Sequence, residues 1–107
     1  MTSRMASHFN DAIDTFKASS RELAAPLSQA VDLLFNTLIN NGRILACGNG
    51  GSASDAQHFI AELVGRFERD RLPLAGIALN TDTSILTAVG NDYGFDTVFK
   101  RQVEALG

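Results

Sequence analysis

Apolar residues near the start of the chain recur at helical spacing. Phe9, Ala12, Ile13 and Phe16 share one face of a helix predicted over Ser7–Lys17. A broader stripe of Ala30, Val31, Leu33, Leu34, Leu38 and Ile39 predicts a second helix. Ser20 is a candidate cap for it, and Pro26 a candidate first-turn residue, while Asn40-Asn41-Gly42 stops it. Two amphipathic helices of this kind need a sheet or another subunit to cover their apolar faces. Phe9, Phe16, Phe35 and Phe59 are expected to be packing residues. The pattern then changes. Arg43–Cys47 reads as a buried strand, Ser52–Phe67 as a helix and Leu74–Leu79 as a second strand. Between them Glu68-Arg69-Asp70-Arg71 reads as a solvated helix end, followed by a loop at Pro73. Asn80-Thr81-Asp82-Thr83 is turn and cap chemistry. Ser84–Val89 predicts a short helix broken at Gly90, Tyr93-Gly94 a turn, and Asp96 or Thr97 the start of a last helix to Leu106.

The order helix, helix, strand, helix, strand, helix, helix places the chain in the α/β class, with a parallel sheet and helices on its faces. Two strands are too few for a free-standing open sheet. The expectation is therefore an N-terminal part of a larger domain, or a sheet completed by a partner chain. Within it, residues 1–41 form a helical region and residues 42–107 a βαβα segment.

Composition narrows the class. The chain has 107 residues, 45% hydrophobic and 20% charged, which is ordinary for a globular domain. A net charge of −3 gives no electrostatic footprint for nucleic acid. The single cysteine, Cys47, has no internal partner and fits a reducing, cytoplasmic setting, as an inert core residue at the end of the first strand. No apolar stretch predicts a signal peptide or a membrane span.

The chemistry gathers around Cys47-Gly48-Asn49-Gly50-Gly51-Ser52, the turn from first strand to helix. Its glycines permit positive φ and close backbone approach, and Ser52 is an N-cap candidate. The helix N-terminus that follows suits an anion such as phosphate. A tight turn with glycines for geometry alone is the competing reading. No Lys follows, which removes the Walker-type loop. Gly48-x-Gly50-x-x-Ala53 fits the dinucleotide fingerprint loosely, but the acid that should end the next strand comes too late, at Asp82. His58 and Glu62 stand one helical turn apart on one face. They could share a zinc ion, or Glu62 could be a general base near a sugar phosphate, or the pair could be a polar surface. Two ligands do not close a zinc site. Asp55 is expected in the first helical turn, complementing the dipole. Asn91-Asp92 reads as a bare turn that gains interest from its place after the second strand, where parallel sheets form their ligand crevice.

These segments together resemble a known family. The glycine loop, Asp55-Ala56-Gln57-His58-Phe59, Glu62-Leu63, Gly65-Arg66-Phe67, Ala78-Leu79-Asn80-Thr81-Asp82, Val89-Gly90-Asn91-Asp92-Tyr93-Gly94-Phe95 and Gln102-Val103-Glu104-Ala105-Leu106-Gly107 occur in the order found in the sugar isomerase (SIS) domain of bacterial phosphoheptose isomerases. The resemblance implies an SIS-type three-layer αβα fold. It also implies isomerisation of sedoheptulose 7-phosphate to D-glycero-D-manno-heptose 7-phosphate, towards the heptose of lipopolysaccharide cores. It assigns Glu62 and Asp92 to catalysis. Asn49, Gly50, Gly51, Ser52, Asn91 and Asp92 are assigned to substrate binding, and His58 and Glu62 to a zinc site. It further implies a cytoplasmic homotetramer built on the N-terminal helices, with sites between subunits. The family's Ser/Thr-rich phosphate loop, second catalytic histidine and remaining zinc ligands would follow residue 107.

A second relative, the non-catalytic protein that associates with the bacterial replication initiator, shares the glycine loop, the Gln-His-Phe run and the Leu-Asn-Thr-Asp run. Glu62 and Gly94-Phe95 are the features that separate the enzyme from it.

Overall fold

A computed structural model describes residues 1–107. The element order is α1 (Thr2–Glu22), α2 (Ala24–Ile39), β1 (Ile44–Ala46), α3 (Gly51–Val64), β2 (Gly76–Ala78), α4 (Thr83–Tyr93), a 3-10 turn (Phe95–Thr97) and α5 (Val98–Leu106). The chain forms two compact units, residues 1–36 and 37–107.

The first unit is helical. α1 is longer than the apolar stripe predicts at both ends, because its polar flanks carry no helix breaker. Ser20, the expected cap of the second helix, lies inside α1 and donates from Oγ to the Lys17 carbonyl at 2.9 Å. Pro26 does sit in the first turn of α2, where its missing N–H costs no hydrogen bond. Neither helix buries a residue. Phe9, Phe16 and Phe35, expected as packing residues, are 73%, 77% and 61% exposed. The stripe is real, but most of its large apolar side chains are exposed.

The second unit contains the sheet. β1 and β2 pair in parallel with Ile44 opposite Gly76, Leu45 opposite Ile77 and Ala46 opposite Ala78. Bonds from Ile44 N to Ala75 O (3.0 Å) and Leu79 N to Ala46 O (2.8 Å) extend the ladder. α3 makes the crossover and packs on both strands. Ala56 and Ile60, one turn apart, are its buried residues, and Ile44 on β1 is buried as well. Leu79 and Val98 are the most deeply buried core side chains, each 1% exposed. Burying a side chain of this size stabilises by roughly 1.5–3 kcal/mol. Gln102 is the one buried polar residue, and its Nε2 donates to Leu79 O (2.8 Å) and Val98 O (3.0 Å).

Asp82 caps α4 by accepting from Ile85 N at 3.0 Å. Gly90 does not break α4, which runs on to Tyr93. A single helical glycine costs only about 1 kcal/mol, and tertiary contacts with the 3-10 turn and α5 offset it. Cys47 is exposed rather than buried, since β1 ends one residue before it. No helix is long and apolar enough to cross a membrane.

Candidate functional site

The glycine loop leaves the carboxyl end of β1 and enters α3 at Gly51. The N-cap is Gly50, at φ +58, a region L side chains rarely adopt, and no side chain caps the helix. Ser52 is therefore a first-turn residue and not the cap. Its N–H donates to Asn49 O at 3.0 Å, and Ala53 N–H to Gly50 O at 3.1 Å. Gly48 answers a second constraint. A Cβ there would lie 2.5 Å from the Ser52 carbonyl group, inside any real contact. Asn49, Gly50, Gly51 and Ser52 are all exposed.

The start of α3 is tied to the end of the second strand. Asn80, just past β2, donates from Nδ2 to Ala53 O at 3.2 Å and to Gln57 Oε1 at 3.3 Å. Its Oδ1 is buried without a partner. Nothing in the sequence pattern singles this asparagine out beyond turn chemistry.

Asp55 is not in the first turn, which holds no acid. His58 and Glu62 do share a face. His58 Nε2 lies 3.2 Å from Glu62 Oε1, with the side chains 76% and 36% exposed. Ring and carboxylate are hard-to-borderline donors suited to zinc, and they are adjacent. They are also only two, and no third His, Cys, Asp or Glu joins them. The donor chemistry fits a zinc ion, but the donor count does not complete its site.

Glu62 sits at the other end of α3 from the loop. Ten residues separate it from Ser52, which at helical rise is about 15 Å along the axis. The loop and this carboxylate are therefore not neighbours within one chain. Glu62 faces a depression of about 720 Å³ whose walls include Phe59, Leu63, Phe67 and Arg71. A shallower one of about 360 Å³ is lined by Asp55, His58, Phe59, Glu62 and Phe67. Phe59, expected as a packing residue, is 42% exposed at this wall.

Past Val64 the chain is a loop and not a solvated helix end. Glu68 has φ +59, and Arg69 N donates to Phe67 O at 2.6 Å. Arg71 turns back onto α3. Its Nη1 donates to Leu63 O and Leu72 O, both at 3.0 Å, and its Nη2 donates to Glu62 O. The sequence pattern missed this residue inside a charge run. The available signal was a cation shortly after a helix C-terminus, where the last carbonyls lack partners.

Asn91 and Asp92 lie in the last turn of α4, not in a bare turn, and Asn91 Nδ2 donates to Asp92 Oδ1 at 3.1 Å. Both are exposed, and neither lines the depressions beside Glu62.

The family model of the SIS domain matches residues 7–106. The chain belongs to the SIS domain family. Among relatives of this SIS chain, a phosphoheptose isomerase of Bordetella avium is 76% identical over 107 residues, covering 100% of this chain and 54% of that protein. One of Neisseria meningitidis serogroup B is 58% identical over 104 residues, covering 97% and 53%. The solved phosphoheptose isomerase GmhA of Neisseria gonorrhoeae superposes with a TM-score of 0.90 at 53% identity, over 99% of this chain and 54% of that one. A phosphoheptose isomerase of Francisella tularensis gives 0.92 at 41% identity, over 98% and 55%. The SIS chain thus spans about half the length of the relatives it matches.

Proposed function

We propose that this chain carries one part of the active site of a phosphoheptose isomerase, which converts sedoheptulose 7-phosphate to D-glycero-D-manno-heptose 7-phosphate. The observation that carries the reading is Glu62. It is a partly exposed carboxylate over a depression, held by His58, in a chain whose relatives bear that enzyme name. Those names favour the enzyme over the initiator-associating alternative.

In the proposed reaction the Glu62 carboxylate takes a proton from C1 of the ketose. The C–H electron pair forms the C1–C2 double bond of an enediol as O2 gains a proton. The proton returns at C2 while the O1 hydroxyl loses its own, leaving the aldehyde at C1. A positioned base is worth roughly 10²–10⁴-fold in rate. Asp92, with Asn91, is assigned to the same site. Asn49, Gly50 and Gly51 present backbone N–H groups to the phosphate, and Ser52 presents its hydroxyl, its own N–H being held by Asn49 O.

The separation of about 15 Å along α3 supports a site shared between copies of the chain, one giving the loop and another giving Glu62. The uncovered apolar faces of α1 and α2 support the same assembly, a homotetramer with the helices of residues 1–41 at its centre. His58 and Glu62 would hold zinc together with ligands outside this stretch, and the ion would supply charge stabilisation to the oxygens of the enediol. A cytoplasmic location belongs to the same reading.

The test is turnover of sedoheptulose 7-phosphate by the full chain, with and without Glu62→Gln. Native turnover lost in the variant with assembly intact is expected. Turnover retained in the variant would overturn the role of Glu62.

A further inference from the structure

We propose that Arg71 is a positioning residue for Glu62, acting through the backbone of the last turn of α3 and the loop opposite it. The inference rests on the reading of Glu62 as the catalytic base.

α3 ends at Val64, two residues after Glu62, so the base stands in the turn most prone to fray. The closing residue, Gly65, donates its N–H to Ala61 O at 2.8 Å but leaves the next two carbonyls outside the helical ladder. Those carbonyls belong to Glu62 and Leu63. Glu62 O accepts from Arg71 Nη2, and Leu63 O accepts from Arg71 Nη1 and from Leu74 N at 3.0 Å. The same guanidinium holds Leu72 O. One planar cation thus ties together the base's own peptide, its neighbour and the returning loop. Three donors in a fixed fork can do this, and a lysine ammonium cannot reproduce the geometry. The charge also opposes the negative end of the helix dipole.

The loop it clamps is the far wall of the depression Glu62 faces, with Phe67 on it. That loop contains Glu68 at positive φ, closed by the bond from Arg69 N to Phe67 O. A non-glycine residue in this region persists only where its surroundings impose it. Arg71 and Leu74 are the anchors at the loop's return to α3. Without Arg71 the last turn frays, Glu62 leaves its 3.2 Å bond to His58, and the wall loosens.

The experiment compares the full native chain with Arg71→Ala and Arg71→Lys. A displacement of the order of 1 Å at a catalytic group can lower rate about a hundred-fold. Arg71→Ala is expected to lower kcat roughly 10- to 100-fold with KM nearly unchanged, and added methylguanidinium is expected to restore part of kcat. Amide hydrogen exchange at Leu63, Val64 and Gly65 is expected to speed up. Unchanged kcat with only a lower melting temperature would overturn the proposal, as would loss of kcat with native exchange at those amides. If Arg71→Ala fails to fold, Arg71→Lys decides. Lowered kcat with faster exchange supports the role, and native values for both overturn it. Glu62→Gln run alongside separates the two readings. If that variant turns over normally, the base assignment falls, whereas the exchange data still report whether Arg71 holds the turn.

Discussion

Gln102 on α5 donates from Nε2 to the carbonyl of Leu79 at 2.8 Å, joining the carboxyl end of β2 to the last helix. Leu79 is 1% exposed, so its carbonyl has no solvent to fall back on. Gln102→Leu keeps the volume and removes both donors. An unsatisfied buried acceptor costs roughly 1–3 kcal/mol. The expected outcome is a fall in melting temperature of several degrees, about 4–8 °C per kcal/mol for a domain of this size. Thermal unfolding followed by circular dichroism checks it.

Asp82 caps α4 through Ile85 N at 3.0 Å, and α4 carries Asn91 and Asp92 at its far end. Asp82→Ala is expected to destabilise by about 1 kcal/mol, and Asp82→Asn by much less, since the amide oxygen still accepts the bond. Denaturant titration of the two variants gives the ordering. Equal losses would show that charge at the helix start, rather than the hydrogen bond, is what matters.

His58 Nε2 faces Glu62 Oε1 across one turn on an accessible surface. His58→Ala leaves the core untouched, because no buried residue of α3 contacts it in sequence register; Ala56 and Ile60 hold the opposite stripe. Stability is expected to stay within about 0.5 kcal/mol of native. Zinc content of the full purified chain is expected to fall sharply. Native zinc content in this variant would show that any metal binds elsewhere.

Much of the fold was legible because the periodicities are clean. The stripe at Ala30–Ile39, the run Arg43–Cys47 and the glycine loop locate α2, β1 and the turn into α3 without reference to anything distant. The misses have physical causes. Gly90 looked like a helix stop because propensity is local, while α4 is held by contacts with the 3-10 turn and α5. Ser52 looked like an N-cap because its residue type suits one, but Gly50 already supplies the turn at positive φ. The pairing of His58 with Glu62 follows from i, i+4 spacing alone and could be read off the chain. Arg71 offered only its place shortly after a helix C-terminus, because its partners on α3 lie eight and nine residues back and become neighbours only when the loop returns.

Gly48 and Gly51 separate two uses of glycine in one loop. A Cβ at Gly48 would meet the Ser52 carbonyl carbon and oxygen at 2.5 Å, and both belong to the backbone of the first turn of α3. Gly48→Ala must push that turn away from the end of β1, and overpacking of this kind costs roughly 1–3 kcal/mol. A Cβ at Gly51 would meet nothing within 4 Å, so Gly51→Ala is expected to hold stability within about 0.5 kcal/mol. Its methyl group would project into open space beside the helix N-terminus, where the proposed phosphate approaches the N–H groups. Gly51→Ala is therefore expected to raise KM for the sugar phosphate several-fold with melting temperature unchanged, whereas Gly48→Ala lowers both affinity and stability. Steady-state kinetics paired with thermal melts on the two variants makes the comparison. Native KM in Gly51→Ala would mean that the phosphate is held away from this end of α3.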